Sequence, residues 1–112
     1  MPALAYNGEK PPVGSEDASC RKDNGTPFFC KINVLNRTPA KIQLWLPEGR
    51  ESARIIEFNG QCLVPGCVLT GDDLGYAAGP EQIEIIEATD AVIIWRSRAG
   101  NRGISVIRLL RP

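Results

Sequence analysis

The chain has 112 residues, 43% of them hydrophobic, with thirteen basic and thirteen acidic side chains and no histidine. That is one domain's length with enough apolar side chains for a real core. Balanced charge supplies no net positive field for nucleic acid or an acidic membrane surface, and the missing histidines remove the commonest general base, metal ligand and pH switch together.

Met1 to Lys10 holds neither a basic n-region nor an apolar h-region, so no secretory leader is expected in it; a mature chain with an added Met would read the same. The longest apolar run, Ala91 to Trp95, is far shorter than the roughly 20 residues that a spanning helix needs, so no membrane insertion is expected.

Residues 1–27 read as an extended N-terminal arm. Pro2, Gly8, Pro11, Pro12, Gly14, Asn24, Gly25 and Pro27 punctuate it, charges are interspersed, and no apolar periodicity develops. Such a segment cannot bury enough surface to offset its own ordering. Fixing about 25 residues costs on the order of 25 kcal/mol of backbone entropy, and offsetting that takes on the order of 1,000 Å² of apolar burial. The expectation is therefore that the arm is ordered only by lying across another chain.

Residues 28–112 read as one all-β domain, an antiparallel β-sandwich or barrel of about seven strands. Phe28, Cys30, Ile32 and Val34 alternate with polar neighbours, and Asn36-Arg37-Thr38-Pro39 ends that strand. Ile42, Leu44 and Leu46 alternate with Lys41, Gln43 and Trp45 before the Pro47-Glu48-Gly49 turn. A third strand is expected from Ser52 to Phe58, closed by Asn59-Gly60, and a shorter one from Cys62 to Leu69, interrupted at Pro65-Gly66. Thr70 to Pro80 reads as a loop with at most one helical turn near Asp72 to Tyr76. Gln82 to Ala88, Ala91 to Ser97 and Gly103 to Leu110 complete the set, joined at Thr89-Asp90 and Ala99-Gly100-Asn101.

Four cysteines, Cys20, Cys30, Cys62 and Cys67, are open to three pairings. Cys62 and Cys67 flank the Val64-Pro65-Gly66 bend and could close it; Cys20 and Cys30 could tether the arm to the first domain strand. Reduced structural thiols are the alternative. Gaps of nine, thirty-one and four residues fit zinc poorly, so no metal is expected.

Charge is segregated near the end of the chain. Gly71 to Asp90 carries six acids and no base, and Ala91 to Pro112 carries five arginines and no acid. A two-residue turn at Thr89-Asp90 would set Ala88 against Ala91, Glu81 against Arg98 with Arg96 on the diagonal, and Trp95 against Glu84. Either these pair within the sheet or the acidic and basic edges of neighbouring copies meet. Arg102, Arg108 and Arg111 have no expected intrachain partner and are candidates for an intermolecular contact. Trp45 and Trp95 fall on polar faces, as interface anchors or as the cover of a second small core.

No catalytic residue and no cofactor are expected. Ser15, Ser19, Ser52, Ser97 and Ser105 have no histidine to activate them. Asp72-Asp73 lacks the Gly and terminal Glu of a calcium loop and reads as a solvated turn.

The cadence from Ile32 to Gly60, with Asn36-Arg37-Thr38-Pro39, then Leu46-Pro47-Glu48-Gly49-Arg50-Glu51, then Asn59-Gly60, resembles small β-domains of phage head and tail proteins. It is a generic hairpin cadence and identifies no family. Length and strand number also suit immunoglobulin-like periplasmic chaperones or inhibitors, whose paired-cysteine signatures are not in place. The expected function is a non-enzymatic structural assembly subunit, such as a virion decoration, cement or minor capsid protein. Its expected partners are the neighbouring subunits of an oligomer or larger complex, in a virion or other extracellular assembly. The alternative is a secreted or periplasmic binding module with disulfides.

Overall fold

The computed structural model describes residues 10–22, 24–47, 53–73, 81–99 and 105–109. Eight strands occur among them: β1 (Glu16–Arg21), β2 (Pro27–Arg37), β3 (Ala40–Pro47), β4 (Ala53–Gly60), β5 (Val68–Asp73), β6 (Glu81–Ala88), β7 (Ile93–Ala99) and β8 (Ser105–Leu109). All neighbours are antiparallel and in chain order, and β1 pairs with β8, so a single sheet curls round into a closed barrel. There is no helix among the described residues. The expected all-β antiparallel class holds; the layering is one curled sheet, not two packed ones.

Period-two alternation sets which side chains face inward. On β3, Ala40, Ile42, Leu44 and Leu46 are buried, while Lys41 is exposed and Gln43 and Trp45 are half-buried on the outer face. Cys30 and Ile32 of β2, Ile56 and Phe58 of β4, Leu69 of β5, Ile83 and Ile85 of β6, and Ile93 and Trp95 of β7 complete the same interior. Eight strands leave an interior just wide enough for side chains to fill. The packing is tight at Gly71, opposite Phe58, where a Cβ would overlap the Phe58 ring and lie 3.0 Å from Ile56 Cγ2. The Phe58 ring, held over that bare backbone, tilts against the Trp95 indole with centroids 5.4 Å apart.

Several sequence expectations are corrected. Residues 16–21, assigned to the arm, are β1 of the barrel, hydrogen-bonded to β2 on one side and β8 on the other. Their inward side chains, Ala18 and Cys20, are small, so the alternation is present but weakly apolar. The chain ahead of β1 makes a turn in which Ser15 N–H donates to Pro12 O at 3.0 Å, and it touches its own domain where Asn33 Nδ2 of β2 donates to Val13 O at 3.2 Å. The domain thus begins well before Phe28, and residues 1–9 lie outside the described part. The strand expected at Cys62 to Leu69 is displaced. Residues 61–67 are a loop, and β5 runs from Val68 into the segment read as loop, through Gly71, Asp72 and Asp73. Residues 74–80, with the expected helical turn, lie outside the described residues.

The β6–β7 register also differs from expectation. The turn spans Thr89 to Val92: Thr89 N–H donates to Val92 O at 2.8 Å, and Thr89 Oγ1 accepts from the Ala91 and Val92 amides. Together with two register shifts this puts Ala88 opposite Ile93, Ile85 opposite Trp95 and Glu84 opposite Arg96. Trp95 therefore faces the core, not a polar surface.

Candidate functional site

The outer wall of the barrel is polar where the inner wall is apolar. Asp17, Lys31, Lys41, Gln43, Glu57, Asn59, Thr70, Glu84 and Arg96 all project from its outer face, exposed or half-buried. One region interrupts this pattern. Strand register lines up Asp17 of β1, Lys31 of β2, Trp45 of β3 and Ile55 of β4 in a row across the outside. Phe29 lies two residues along β2 from Lys31 and is 49% exposed. Its ring meets Trp45 edge to face, with centroids 6.4 Å apart and planes at 76°.

The charged members of the row frame these aromatics. Lys31 Nζ lies 5.4 Å from the Phe29 ring centroid and 2.6 Å from Asp17 Oδ1. A cation held by a carboxylate on one side and a π-face on the other is fixed in place, although an ion pair this exposed adds little to stability. The result is an aromatic centre with a polar rim on rigid strands. Protein-binding surfaces are built this way, because fixed aromatic area is covered at small entropic cost and the rim charges orient the partner. Leu35 and Ile86 are also exposed, but each stands elsewhere on the wall.

The candidate residues read from sequence fare differently. Trp45 lies in the aromatic row. Trp95 is 1% exposed and packs within the barrel, not on its outer face. The expected register of Glu81 on Arg98 is not the one observed: Glu81 is buried opposite Gly71, and Gln82 and Ile83 stand opposite Ala99 and Ser97. An ion pair joins Arg96 Nη2 to Glu84 Oε1 in this hairpin at 3.3 Å. Arg102 and Arg111 lie outside the described residues. Arg108 stands on β8 with its backbone opposite Ser19, and its side chain lies outside the described part. Phe29 and Lys31 were missed. Phe29 follows Phe28, so alternation assigned the pair's apolar role to Phe28 and left the second ring without one.

Cys20 and Cys30 form a disulfide across the β1–β2 hairpin, both fully buried. Cys62 and Cys67 are both half-buried, with free thiols and sulfurs 2.6 Å apart. The sulfur–sulfur hydrogen bond is the main cause that raises the Cys62 pKa above the ordinary thiol value, with burial and the Cys67 charge adding to it. No group of three or more potential metal ligands occurs among the described residues. No helix long and apolar enough to cross a membrane occurs among them. Comparison of the chain with protein-family models, with curated proteins and with solved structures finds no match.

Proposed function

We propose that this chain is a non-enzymatic structural subunit that binds neighbouring protein chains through the outer face of β1–β4, in the manner of a virion decoration, cement or minor capsid protein. The observation that carries the reading is the Phe29–Trp45 pair, two aromatics packed together on the mostly polar outer wall of a rigid barrel. Barrel closure supports a contact of this kind. A closed sheet offers no free edge to an incoming strand, so a partner must engage side chains on the wall. The charged outer wall is the inverse of a membrane barrel, whose lipid-facing positions are apolar, and this supports a partner that is protein and not lipid.

Sedimentation velocity of the full chain over a rising concentration series tests the reading. The expected result is association that disappears in a Phe29→Ser/Trp45→Ser double variant whose unfolding curve matches the parent. A parent chain that stays monomeric throughout the series, or a double variant that associates as the parent does, overturns it.

A second reading, a secreted or periplasmic binding module, is favoured by the Cys20–Cys30 disulfide, since such bonds persist in oxidising compartments. In that case the same aromatic face engages a different protein, and the chain alone remains a monomer.

A further inference from the structure

The loop joining β4 to β5 closes one end of the barrel. Leu63, only 3% exposed, belongs to the core cluster and seals the interior at the end where β4 finishes and β5 begins. Four backbone hydrogen bonds hold this loop. Leu63 N–H donates to Arg37 O at 2.9 Å, Gly66 N–H to Ile85 O at 2.8 Å, and Cys67 N–H to Val64 O at 3.1 Å, while Ile85 N–H donates to Cys67 O at 2.9 Å. The tight bend is made at Gly66, whose φ of +91° is a left-handed value that glycine adopts freely. The bend brings Cys62 and Cys67 together at the two feet of the loop, with their sulfurs 2.6 Å apart.

We propose that Cys62 and Cys67 form a reversible dithiol–disulfide site that latches the Leu63 plug, operating independently of the buried Cys20–Cys30 bond. Two observations carry this. The thiols already face each other on a loop that backbone hydrogen bonds hold in shape, so joining them asks for no rearrangement of the barrel. They are also half-exposed and open to a small reagent, whereas Cys20 and Cys30 are both 0% exposed. Exchange requires a thiolate that can be approached, so exposure sorts the two pairs into one that cycles and one that does not.

The oxidant is a small-molecule disulfide. A thiolate of the pair attacks one of its sulfurs, giving a mixed disulfide on the protein and releasing one small thiolate. The second cysteine, deprotonated, then attacks the protein sulfur of the mixed disulfide. That step forms the Cys62–Cys67 bond and releases the second small thiolate. The two protons lost by the cysteines end on the released thiols, and two electrons pass from the protein to the small disulfide. A dithiol reductant reopens the bond by two exchanges of its own: one of its thiolates attacks a sulfur of the Cys62–Cys67 bond and frees one cysteine, and its second thiolate displaces the other cysteine, leaving the reductant as a disulfide.

The test treats the native full chain with oxidised glutathione, followed by peptide mapping and amide hydrogen exchange. The expected product lacks two hydrogens, carries no retained glutathione and is cross-linked between Cys62 and Cys67. The Leu63, Gly66 and Cys67 amides should then exchange about tenfold or more slowly than in the reduced chain, because the bond removes open states of the loop. A native-state dithiol should reopen this bond and leave Cys20–Cys30 intact. A Cys62→Ser/Cys67→Ser variant should keep the exchange rates of the reduced chain with and without oxidant. Retained glutathione adducts without a cross-link, unchanged exchange rates after cross-linking, or reduction of both protein disulfides at one reductant concentration would each overturn the proposal.

Discussion

The two tryptophans separate the inside of this protein from its outside. Trp95 is packed against Phe58 in the core, and its removal should leave a large cavity, so Trp95→Ala should cost about 3–5 kcal/mol in a urea titration. Trp45 stands on the wall, and Trp45→Ser should cost far less stability while weakening association. Gly71 belongs with Trp95. A methyl group there meets Phe58 and Ile56 in an interior with no room to yield, so Gly71→Ala should lower stability by about 1–3 kcal/mol. Cys62 adds a pH dependence. Its folded pKa is raised, chiefly by the hydrogen bond to Cys67, so the stability it contributes is complete below the ordinary thiol range and is lost as pH rises through the folded value. The urea midpoint of the reduced chain should fall as pH rises above the ordinary thiol value of about 8.5. That fall should be absent from the Cys62→Ser/Cys67→Ser variant.

At the scale of elements, β1 is the part that decides whether the sheet closes. It fills the place between β2 and β8, and its disulfide to β2 spans ten positions of sequence. Closing a loop of that length should contribute about 2–3 kcal/mol, so Cys20→Ser/Cys30→Ser should lower the unfolding free energy from a urea titration by at least that amount. Deleting residues 1–9 should leave cooperative unfolding intact, whereas deletion through residue 25 removes β1 and should abolish it. Most strands were legible from alternation alone, because Ile, Leu and Val at every second position in β2, β3 and β6 admit one reading. β1 was not, since Ala18 and Cys20 are weak markers of a core face and the prolines and glycines around them suggest a tail. β5 was misplaced because Gly71 and the two aspartates that follow it read as a turn. Gly71 is there to admit the Phe58 ring from the neighbouring strand, a contact between positions thirteen apart in the chain. The register of β6 on β7 was set by two bulges and by the Thr89 hydroxyl, none of which hydrophobic alternation reveals.

For the whole molecule, a single antiparallel sheet closed on itself leaves no free edge, so the proposed contact runs through the wall. Strand neighbours are sequence neighbours throughout except where β1 meets β8, so only that last pairing joins the two ends of the chain. Of the candidate site, the outward placement of Trp45 was legible from its alternation with Ile42, Leu44 and Leu46, while Phe29 became visible only once its ring stood beside Trp45. The proposed division of labour between an apolar interior and an adhesive outer face can be measured directly. Acrylamide quenching of single-tryptophan variants, Trp95→Phe and Trp45→Phe, should be followed from dilute to associated protein. In the first, the remaining Trp45 should be quenched in dilute solution and shielded as the chain associates; in the second, Trp95 should be shielded throughout. A Trp45 that stays open to quencher in the associated protein, or a Trp95 quenched as readily as Trp45, would contradict that division.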